Sequence, residues 1–483
     1  MERLKKIGQI PRYHAKDVAF SRLGIGFEKL DRDAFDPENA YGPVSELGLK
    51  HVRLQSGWIR TEKEKGVYDF DWLDKIVDRL LSLNLKPWLC LCYGNPLYTP
   101  AAEKAFGGVG CPPINSQEAA DAWLRYVRAT VEHFKGRIEL YEVWNEPDGF
   151  WSWKHYFGEP KEECSLSVNA HEYGVFAMNT AIAVKEADQN AKVAAISLAH
   201  PNIAMSYVNE ALATGLWRHI DYVTFHIYAS HDERRERIIR ALRKVVDLYD
   251  PKIGLIQGEA GAQSRSDGNG ALKKFAWTQE KQWKMLLRTL ICDLYCGVEF
   301  TSYFSTLDMI EALHGEAGNK ATYLDYGYFG VLSAEFDENG RGTGKYGKKP
   351  SYDSLATLSS LMREGAEPAP IAFLPEEFPS RRVNGMDYIE EDLKFYSFRL
   401  CDGRKVLFYW NPVHLLTSTF EGTTSMCVFG EDTENICLAD MKDGTLYSIP
   451  EDMIEHLDNG GIRFINLPLL DSPLALIFGK ENK

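Results

Sequence analysis

Two glutamates follow apolar segments in which ionisable side chains are uncommon. Glu146 comes directly after YEVWN, and Glu259 comes directly after IGLIQG. A carboxylate at the end of a buried strand is scarce unless it is solvated, paired or used in chemistry. Two opposed carboxyl groups can cleave a glycosidic bond when one protonates the leaving oxygen and the other attacks the anomeric carbon. The sequence therefore predicts that Glu146 and Glu259 form a catalytic pair.

Polar side chains recur at every second position along two further apolar segments. They are His51, Arg53 and Gln55 in one segment, and Tyr222, Thr224, His226 and Tyr228 in the other. Alternate residues of a strand share one face, so each segment is predicted to direct a polar face towards one interior. Arg53 and Tyr228 are expected to keep Glu259 ionised by charge and hydrogen bonding. His226 and Asn145 are expected to contact substrate, Asn145 at the 2-hydroxyl of a sugar.

The same alternation predicts which neighbours share a face with the two glutamates. Glu142 and Trp144 are expected on the face of Glu146, and Gln257 on the face of Glu259. Each residue also has a structural interpretation without chemistry. Glu146 and Glu259 can each be an ordinary solvated loop residue at the end of a strand. Arg53 can form a salt bridge inside the barrel. His226 can be a hydrogen-bonded histidine of the core.

The elements that must position these residues alternate between short apolar runs and helical patterns. This alternation is typical of a parallel sheet, and eight repeats fit a (β/α)8 barrel better than an open sheet. No glycine-rich phosphate-binding motif lies at a strand–helix junction. The predicted strands are 23–27, 51–55, 88–92, 139–145, 193–198, 222–228, 253–257 and 298–304.

Four helices are predicted between or after these strands. One covers 71–83, one begins at Asn115 or Ser116 and ends at Gly136, one covers 278–296, and the last covers 351–362. Asn115 and Glu118 are spaced for a capping box at the start of the second helix.

The pattern changes near residue 365. Prolines at 368, 370, 375 and 379 mark a linker, and the segments DLKFYSFRL and KVLFYWN, separated by Asp402–Gly403, predict a hairpin. Short strands without helical period follow. The sequence predicts a catalytic barrel over residues 1–365 and a β-sandwich accessory domain over residues 366–483.

Composition and charge restrict the partners. The net charge of −14 does not favour nucleic acid or anionic membranes. No apolar run is long enough for a transmembrane helix, and no apolar signal segment follows the N-terminus, so a cytoplasmic protein is expected. The nine cysteines are interpreted as reduced thiols. No HxH or HExxH motif suggests a metal centre, and no metal or organic cofactor is expected.

The segment YEVWNEP (141–147) resembles the strand-four signature of clan A glycoside hydrolases, and the sequence is most similar to glycoside hydrolase family 39. That family includes β-xylosidases and α-L-iduronidases. Weaker similarities occur in the right order: 66–87, DYVTFHIY (221–228), 303–308 and KKPSYDSLATLSSL. The resemblance implies a retaining mechanism with Glu146 as acid/base and Glu259 as nucleophile, Asn145 at the 2-hydroxyl and Tyr228 orienting the nucleophile. Because members of that family often form oligomers, a homo-oligomer is expected.

The sequence departs from the family near the expected sugar site. Gln55–Ser56–Gly57 replaces a segment with histidine before glycine, and Gly258 and Ala260 flank Glu259 in place of the usual threonine and aromatic residue. Phe304 lies where a tryptophan is expected, so it is predicted to contact substrate. These differences leave the identity of the sugar open.

Long loops after strands three, four, seven and eight predict a closed pocket. The loop 149–158 is rich in aromatic residues, and Trp151 is predicted to stack on a sugar ring. The alternative is that these rings pack the loop onto its neighbour. The predicted function is exo-hydrolysis of β-linked short oligosaccharides or aryl glycosides. Alternatives are an endo-glycanase, a glycosidase for uronic acids using Lys154, Arg265 or Lys273, an inactive sugar-binding barrel and a metal-dependent hydrolase.

Overall fold

The computed structural model describes residues 3–153, 169–201, 204–230, 234–312, 315–376, 380–383, 386–389, 393–432 and 435–480. Eight parallel strands close into a barrel, as predicted. In chain order, barrel strands one to eight are Leu23–Gly26, His51–Gln55, Lys86–Leu91, Leu140–Val143, Lys192–Leu198, Tyr222–His226, Gly254–Ala260 and Thr301–Tyr303.

One long helix follows each barrel strand. The eight are Glu38–Glu46, Asp71–Ser82, Gln117–Phe134, Ala170–Ala187, Met205–Ala213, Arg235–Asp247, Gln279–Tyr295 and Pro350–Leu361. Short helices lie at Trp58–Thr61 and Lys320–Tyr323, and single 3-10 turns at Ala15–Asp17, Leu30–Arg32, Pro100–Glu103, Phe106–Gly108, Leu216–Arg218 and Glu451–Met453. Within the described part of the chain, no helix has the length and apolar character needed to cross a membrane.

The helix Gln117–Phe134 begins with a different cap from the predicted one. The Ser116 hydroxyl accepts a hydrogen bond from the backbone N–H of Ala119 at 3.1 Å. Asn115 instead bonds to the Thr99 side chain and the Tyr98 carbonyl, and Glu118 pairs with Lys65. The predicted capping box is therefore wrong, because the preceding loop already uses the Asn115 side chain.

The lower end of the barrel is filled with apolar side chains, so the interior is open only at the upper, carboxyl end of the strands. Five buried residues form this plug, four on strands three, four, five and seven and one just before strand eight: Trp88, Leu140, Ala194, Ile256 and Phe300. His51 stacks on Phe300 with ring centroids 3.9 Å apart. Tyr222 also packs against this layer, whereas Arg53 and His226 lie above it beside Glu259 and Glu146.

Strict alternation fails at the ends of strands four and seven. Strand four ends at Val143, and Trp144 has a positive φ of 64°, which turns its ring outwards onto Trp123 and Phe176. In strand seven the pairing register shifts between Gln257 and Glu259. The expectation that Trp144 shares a face with Glu142 and Glu146 is thus wrong. A chain turn at Trp144 and a bulge at Gly258 decide where the side chains at these strand ends point. A strict alternation of faces predicts neither the turn nor the bulge.

Two antiparallel sheets make up the C-terminal region. The seven-stranded sheet has the order Lys5–Gln9, Thr445–Ser448, Ile436–Asp440, Leu474–Phe478, Lys405–Trp410, Lys394–Arg399 and Glu367–Pro368. The four-stranded sheet has the order Ala372–Pro375, Glu421–Phe429, Ile462–Leu470 and Ile454–His456. Buried residues of both sheets, including Leu407, Met426, Phe464 and Leu476, share one apolar cluster, which confirms the predicted all-β region.

Four further strand pairs lie outside these sheets. Three decorate the barrel: Glu62–Glu64 with Val67–Tyr68, Met309–Ile310 with Tyr326–Gly327, and Leu332–Phe336 with Gly342–Lys348. The fourth, Ser380–Val383 with Met386–Ile389, belongs to the C-terminal region. The predicted hairpin after residue 393 is also present, since Lys394–Arg399 pairs antiparallel with Lys405–Trp410.

The N-terminal strand belongs to the C-terminal sheet. Lys5–Gln9 pairs antiparallel with Thr445–Ser448, with Lys5 opposite Ser448. From the sequence this segment is predicted to belong to the barrel, because nothing near it in the chain indicates a partner strand more than 400 residues away. The division at residue 365 stays a prediction, but the first strand crosses it.

The helix Gln279–Tyr295 joins the barrel to the seven-stranded sheet. Arg288 on this helix is fully buried and donates to the carbonyls of Asn411, Val413 and Asp471. Lys284, one turn earlier, pairs with the Asp471 carboxylate at 2.8 Å. Tyr295 packs against Tyr396 of the sheet. These contacts fix the C-terminal region beside strand seven, which carries Glu259.

Candidate active site

Arg53 lies at the centre of the upper barrel and binds three carboxylates. Its guanidinium bonds to Glu142 at 2.6 and 2.9 Å, to Glu259 at 2.5 Å and to Glu28 at 3.3 Å. Arg53 is fully buried. Burial lowers the pKa of Arg53, but the three carboxylates outweigh this effect and raise its pKa well above the ordinary value. Arg53 therefore remains charged and supplies the main positive charge of the site.

Glu259 is held as a carboxylate by three neighbours. Besides Arg53, the Tyr228 hydroxyl donates to it at 2.8 Å, and His226 Nδ1 lies 3.6 Å away. Burial raises the pKa of Glu259, but His226, Arg53 and the Tyr228 hydrogen bond together bring it below the ordinary glutamate value. The bulge in strand seven directs this side chain into the site, where these neighbours favour the ionised form of Glu259.

Glu146 accepts hydrogen bonds on both oxygens. His226 Nδ1 lies 2.9 Å from Oε1, and the indole N–H of Trp151 donates to Oε2 at 2.8 Å. Glu146 has a positive φ of 51°, which directs its side chain across the mouth towards strand six. Glu146 and Glu259 each have an oxygen within 4.8 Å of the other. The two predicted carboxylates are therefore brought together over one small space.

His226 connects these two carboxylates and is itself fully buried. Its Nε2 lies 3.2 Å from the Ser197 hydroxyl, while Nδ1 faces Glu146 and Glu259. Burial lowers the pKa of His226, but Glu259 and Glu146 outweigh burial and raise it above the ordinary histidine value. The ring is thus a hydrogen-bonded member of the site. It lies below the carboxylates, and the pocket wall is formed by other residues.

The remaining predicted residues line the same pocket. Asn145 lines the pocket, and its side-chain oxygen accepts a hydrogen bond from Arg53 at 2.9 Å. The NH2 group of the same amide is not used in this bond. The rings of Tyr228 and Phe304 meet edge to face with centroids 6.2 Å apart. Trp151 lies at the mouth against His200. Lys154 and part of the aromatic loop, residues 154–158, fall outside the described residues.

Glu28 was not identified by sequence reasoning. It follows barrel strand one, is almost fully buried and lines the pocket beside Arg53. Burial raises its pKa to about 8. The segment GFEKLDR resembles an ordinary charged loop, which hid this residue. The available signal was the position of Glu28 just after a strand that neighbours the strand of Arg53.

The pocket has a volume of about 440 Å³. Its walls come from the carboxyl ends of all eight barrel strands and from the loops that follow them. Lys29 and Glu311 pair across it at 3.2 Å, and both are largely buried. Further lining residues are Arg32, Gln55, Tyr93, Phe150, His200, Lys273 and Phe329. A cavity of this size holds one or two sugar rings, and its mixture of rings and polar groups suits a carbohydrate.

Among the described residues, Glu146, His226 and Glu259 also offer ligand atoms close enough together to hold a metal ion. Their donors and acceptors are already joined to one another or to Arg53, Tyr228 and Trp151. Two carboxylates held by N–H and O–H donors suit proton transfer and nucleophilic attack.

Three comparisons relate the chain to known proteins. The glycoside hydrolase 42 family model, described as β-galactosidase, matches residues 31–97. A curated β-xylosidase from Geobacillus stearothermophilus is 26% identical over 195 residues, 36% of this chain and 34% of that protein. The match thus spans about a third of the length of that relative.

Solved structures of family 39 share the fold over most of the chain. A family 39 glycoside hydrolase from Bacteroides cellulosilyticus WH2 superposes with a TM-score of 0.63 at 15% identity, covering 95% of this chain and 81% of the other. A family 39 β-xylosidase from Caulobacter crescentus gives 0.55 at 17% identity, covering 99% and 98%.

In partial sequence matches and in fold, the chain is similar to clan A glycoside hydrolases, and among these it resembles family 39 most. The resemblance inferred from YEVWNEP is therefore confirmed at this level. The family 39 structures cover the C-terminal β region as well as the barrel, so the two-part architecture is shared.

The departures from family 39 have local structural roles in this chain. The Gln55 side chain donates to the Tyr93 hydroxyl at 3.1 Å and accepts from the Lys29 backbone N–H. Gly258 leaves room for His226, since a Cβ there would lie 3.0 Å from Nε2. Phe304 packs against Phe329 and Tyr228. Each residue that differs from the family pattern therefore makes a hydrogen bond, a ring contact or room for a neighbour in this structure.

Proposed function

We propose that this protein is a retaining exo-glycosidase that releases a β-linked sugar from short oligosaccharides or aryl glycosides. The observation that carries the proposal is the approach of Glu146 and Glu259 oxygens to within 4.8 Å. Retaining enzymes place their two carboxyl groups about 5–5.5 Å apart, whereas inverting enzymes leave about 6.5–9.5 Å for a water molecule. One oxygen of each group within 4.8 Å of the other leaves little room for an intervening water molecule, which supports retention.

In the first half of the reaction, ionised Glu259 attacks the anomeric carbon while protonated Glu146 gives its proton to the leaving oxygen. The bond from the anomeric carbon to that oxygen breaks, and an ester to Glu259 forms. Arg53 and Tyr228 keep Glu259 ionised and fix its direction. Asn145 is placed beside Arg53, where its amide group can bind the 2-hydroxyl of the sugar.

In the second half, water attacks the anomeric carbon and gives its proton to the carboxylate of Glu146. The ester bond breaks, and Glu259 returns to its ionised form. The configuration at the anomeric carbon is inverted twice and therefore retained. Each step uses only side chains that the site already contains and one water molecule.

The shape of the pocket supports exo action on short substrates. The loops carrying Lys29, Val109, Leu272 and Ala312 surround the catalytic pair, and the volume of about 440 Å³ accommodates few sugar units. An internal polymer bond needs an open cleft on both sides of the pair. We therefore expect single sugars to appear from the first minutes, with no early fall in polymer length.

A uronic acid substrate would require an available cation in the pocket. Two cations that line the pocket are already paired, Lys29 with Glu311 at 3.2 Å and Arg32 with Asp31 at 3.2 Å. Arg265 pairs with Asp267 at the surface, and Lys273 is exposed at the rim. These contacts favour a neutral sugar over a uronate.

A panel of nitrophenyl glycosides tests the function. It contains pentoses, hexoses and uronic acids in both anomeric forms, and is run with wild type, Glu259→Ala and Glu299→Ala. Glu299 is an exposed glutamate at the opposite end of the barrel. We expect nitrophenol to be released from one β-linked neutral glycoside. The rate should fall by several powers of ten in Glu259→Ala and stay unchanged in Glu299→Ala. Equal activity in wild type and Glu259→Ala would refute the assignment.

The role of Glu146 is tested with Glu146→Ala. Substrates with excellent leaving groups need no protonation, so their kcat/KM should be largely retained, while substrates with poor leaving groups should lose activity by orders of magnitude. An equal loss for both classes would show that Glu146 is not the acid.

A further inference from the structure

Trp151 meets the proposed acid through its polar edge. Its indole N–H donates to Glu146 Oε2 at 2.8 Å. The sequence analysis predicted a ring that stacks on sugar. The structure instead directs the N–H edge at the catalytic carboxyl group, while the ring meets His200 and Phe150 at steep angles.

The chain turn after Glu146 holds the indole in this position. The Gly149 backbone N–H donates to the Glu146 carbonyl at 2.9 Å, and the Trp144 indole donates to the Ser152 carbonyl at 2.9 Å. Trp151 folds back over Gly149, where an added Cβ would lie 2.6 Å from its ring. Glycine at this position is therefore required for the contact.

The contact has a definite effect on proton donation. When Glu146 gives its proton to the leaving oxygen, negative charge develops on its carboxyl group. A hydrogen bond to a charged oxygen is roughly twice as strong as one to a neutral oxygen. A fixed donor at Oε2 therefore stabilises the transition state more than the ground state, which is the condition for faster chemistry.

We propose that Trp151 is a positioning residue for Glu146 whose indole N–H stabilises the charge that Glu146 acquires as it protonates the leaving oxygen. The inference rests on the proposed function and adds a residue to it. If Trp151 acts through this hydrogen bond, its contribution to kcat/KM must grow as the leaving group becomes poorer. Stacking on an aryl ring would contribute equally to every member of an aryl series.

The test is a series of aryl glycosides of one sugar with phenol leaving groups from dinitrophenol to unsubstituted phenol. The sugar is the one released in the nitrophenyl panel, and kcat/KM is measured for wild type and Trp151→Phe. For the poorest leaving group we expect Trp151→Phe to lose about tenfold more than for dinitrophenol, the rate equivalent of one strengthened hydrogen bond.

Two further variants separate this role from loop packing. Gly149→Ala displaces the indole without altering it, so it should steepen the leaving-group dependence as Trp151→Phe does. Trp153→Phe is the matched control, because the Trp153 indole donates to Glu172 and not to Glu146. Its leaving-group dependence should match that of wild type.

Parallel leaving-group plots for wild type and Trp151→Phe would overturn the proposal, whatever the size of the common loss. If Trp151→Phe does not fold, Gly149→Ala gives the same decision. Glu146→Ala is run beside them. If kcat/KM of Glu146→Ala does not depend on the leaving group, the proposed function itself fails. If the Glu146→Ala plot is steep while the Trp151→Phe plot is parallel to that of wild type, only the role of Trp151 is rejected.

Discussion

At the scale of single residues, Arg53 has the widest influence on the site. One guanidinium contacts the carboxyl groups of Glu28, Glu142 and Glu259, and all four groups are buried. Its planar fork binds several carboxylates at fixed angles, which a lysine ammonium does not reproduce. The ionised state of Glu259 therefore depends on an arginine three strands away around the barrel.

The first prediction concerns the pH dependence of Arg53→Lys. Glu259 must be ionised to attack, so kcat/KM falls as the pH drops through its pKa. Arg53 lowers that pKa, so the acid limb should move to higher pH in Arg53→Lys. Arg235→Lys is the control, because Arg235 is also buried and paired, with Asp293, outside the pocket. An unmoved acid limb in Arg53→Lys would contradict the prediction.

The second prediction concerns Glu28 and stability. Its pKa rises from the ordinary value of 4.5 to about 8 on folding, so the folded protein binds more protons than the unfolded chain between these values. Stability from Glu28 is full below the lower value and is lost as the pH rises towards about 8. Urea unfolding of wild type should show this decline, by on the order of a few kcal/mol, and Glu28→Gln should flatten it. Equal slopes of the unfolding free energy against pH in wild type and Glu28→Gln would contradict this prediction.

Sequence reasoning found the two central carboxylates but not their full surroundings. Glu146 and Glu259 follow long apolar runs, and Arg53 and His226 alternate with apolar neighbours, so strand periodicity was sufficient. Glu28 was missed because it lies in a segment already rich in charge. The bond from Trp151 to Glu146 was also missed, since the path of a turn decides which edge of a ring faces its neighbour.

At the scale of elements, a bulge and a turn set the directions of the Glu259 and Glu146 side chains. The register shift between Gln257 and Glu259 places Gly258 against His226 and still directs Glu259 inwards. Bulges are common beside active sites, where they re-aim one side chain. The strand positions themselves were predicted to within a few residues because their apolar runs are long. The bulge was not, because it depends on pairing with strand six.

The third prediction tests the start of the helix Gln117–Phe134. Removing the hydroxyl in Ser116→Ala deprives the Ala119 backbone N–H of its acceptor and should destabilise the protein by about 1 kcal/mol. Glu118→Ala removes only an exposed pair with Lys65 and should cost less. Thermal unfolding at neutral pH gives both values. A larger loss for Glu118→Ala would restore the capping box as the start of this helix.

At the scale of the whole molecule, one helix makes the barrel and the C-terminal sheets a continuous structure. Arg288 satisfies carbonyls at three positions of the β region, and Lys284 pairs with Asp471 beside it. The sequence predicted both parts but not their contact. A buried arginine on a helix with no acidic neighbour in sequence gives no sign of a partner about 180 residues away along the chain.

The fourth prediction follows from this contact. Arg288→Ala should destabilise the protein by roughly 3–5 kcal/mol, because it opens a cavity and leaves buried carbonyls without their donor. Arg128→Ala, which breaks an exposed pair with Glu186, should cost about 0–1 kcal/mol. Calorimetry compares the two. Similar losses would show that the buried arginine contributes no more than a surface pair.

The pairing of Lys5–Gln9 with Thr445–Ser448 has a consequence for synthesis. Lys5–Gln9 is synthesised before its partner, which lies 443 residues further along the chain. Until Thr445–Ser448 is synthesised, this edge has no native neighbour, and a nascent chain with an open strand edge is prone to pair with other chains. The two lysines at positions 5 and 6 repel identical copies of that edge, which protects the growing chain until its last strands arrive.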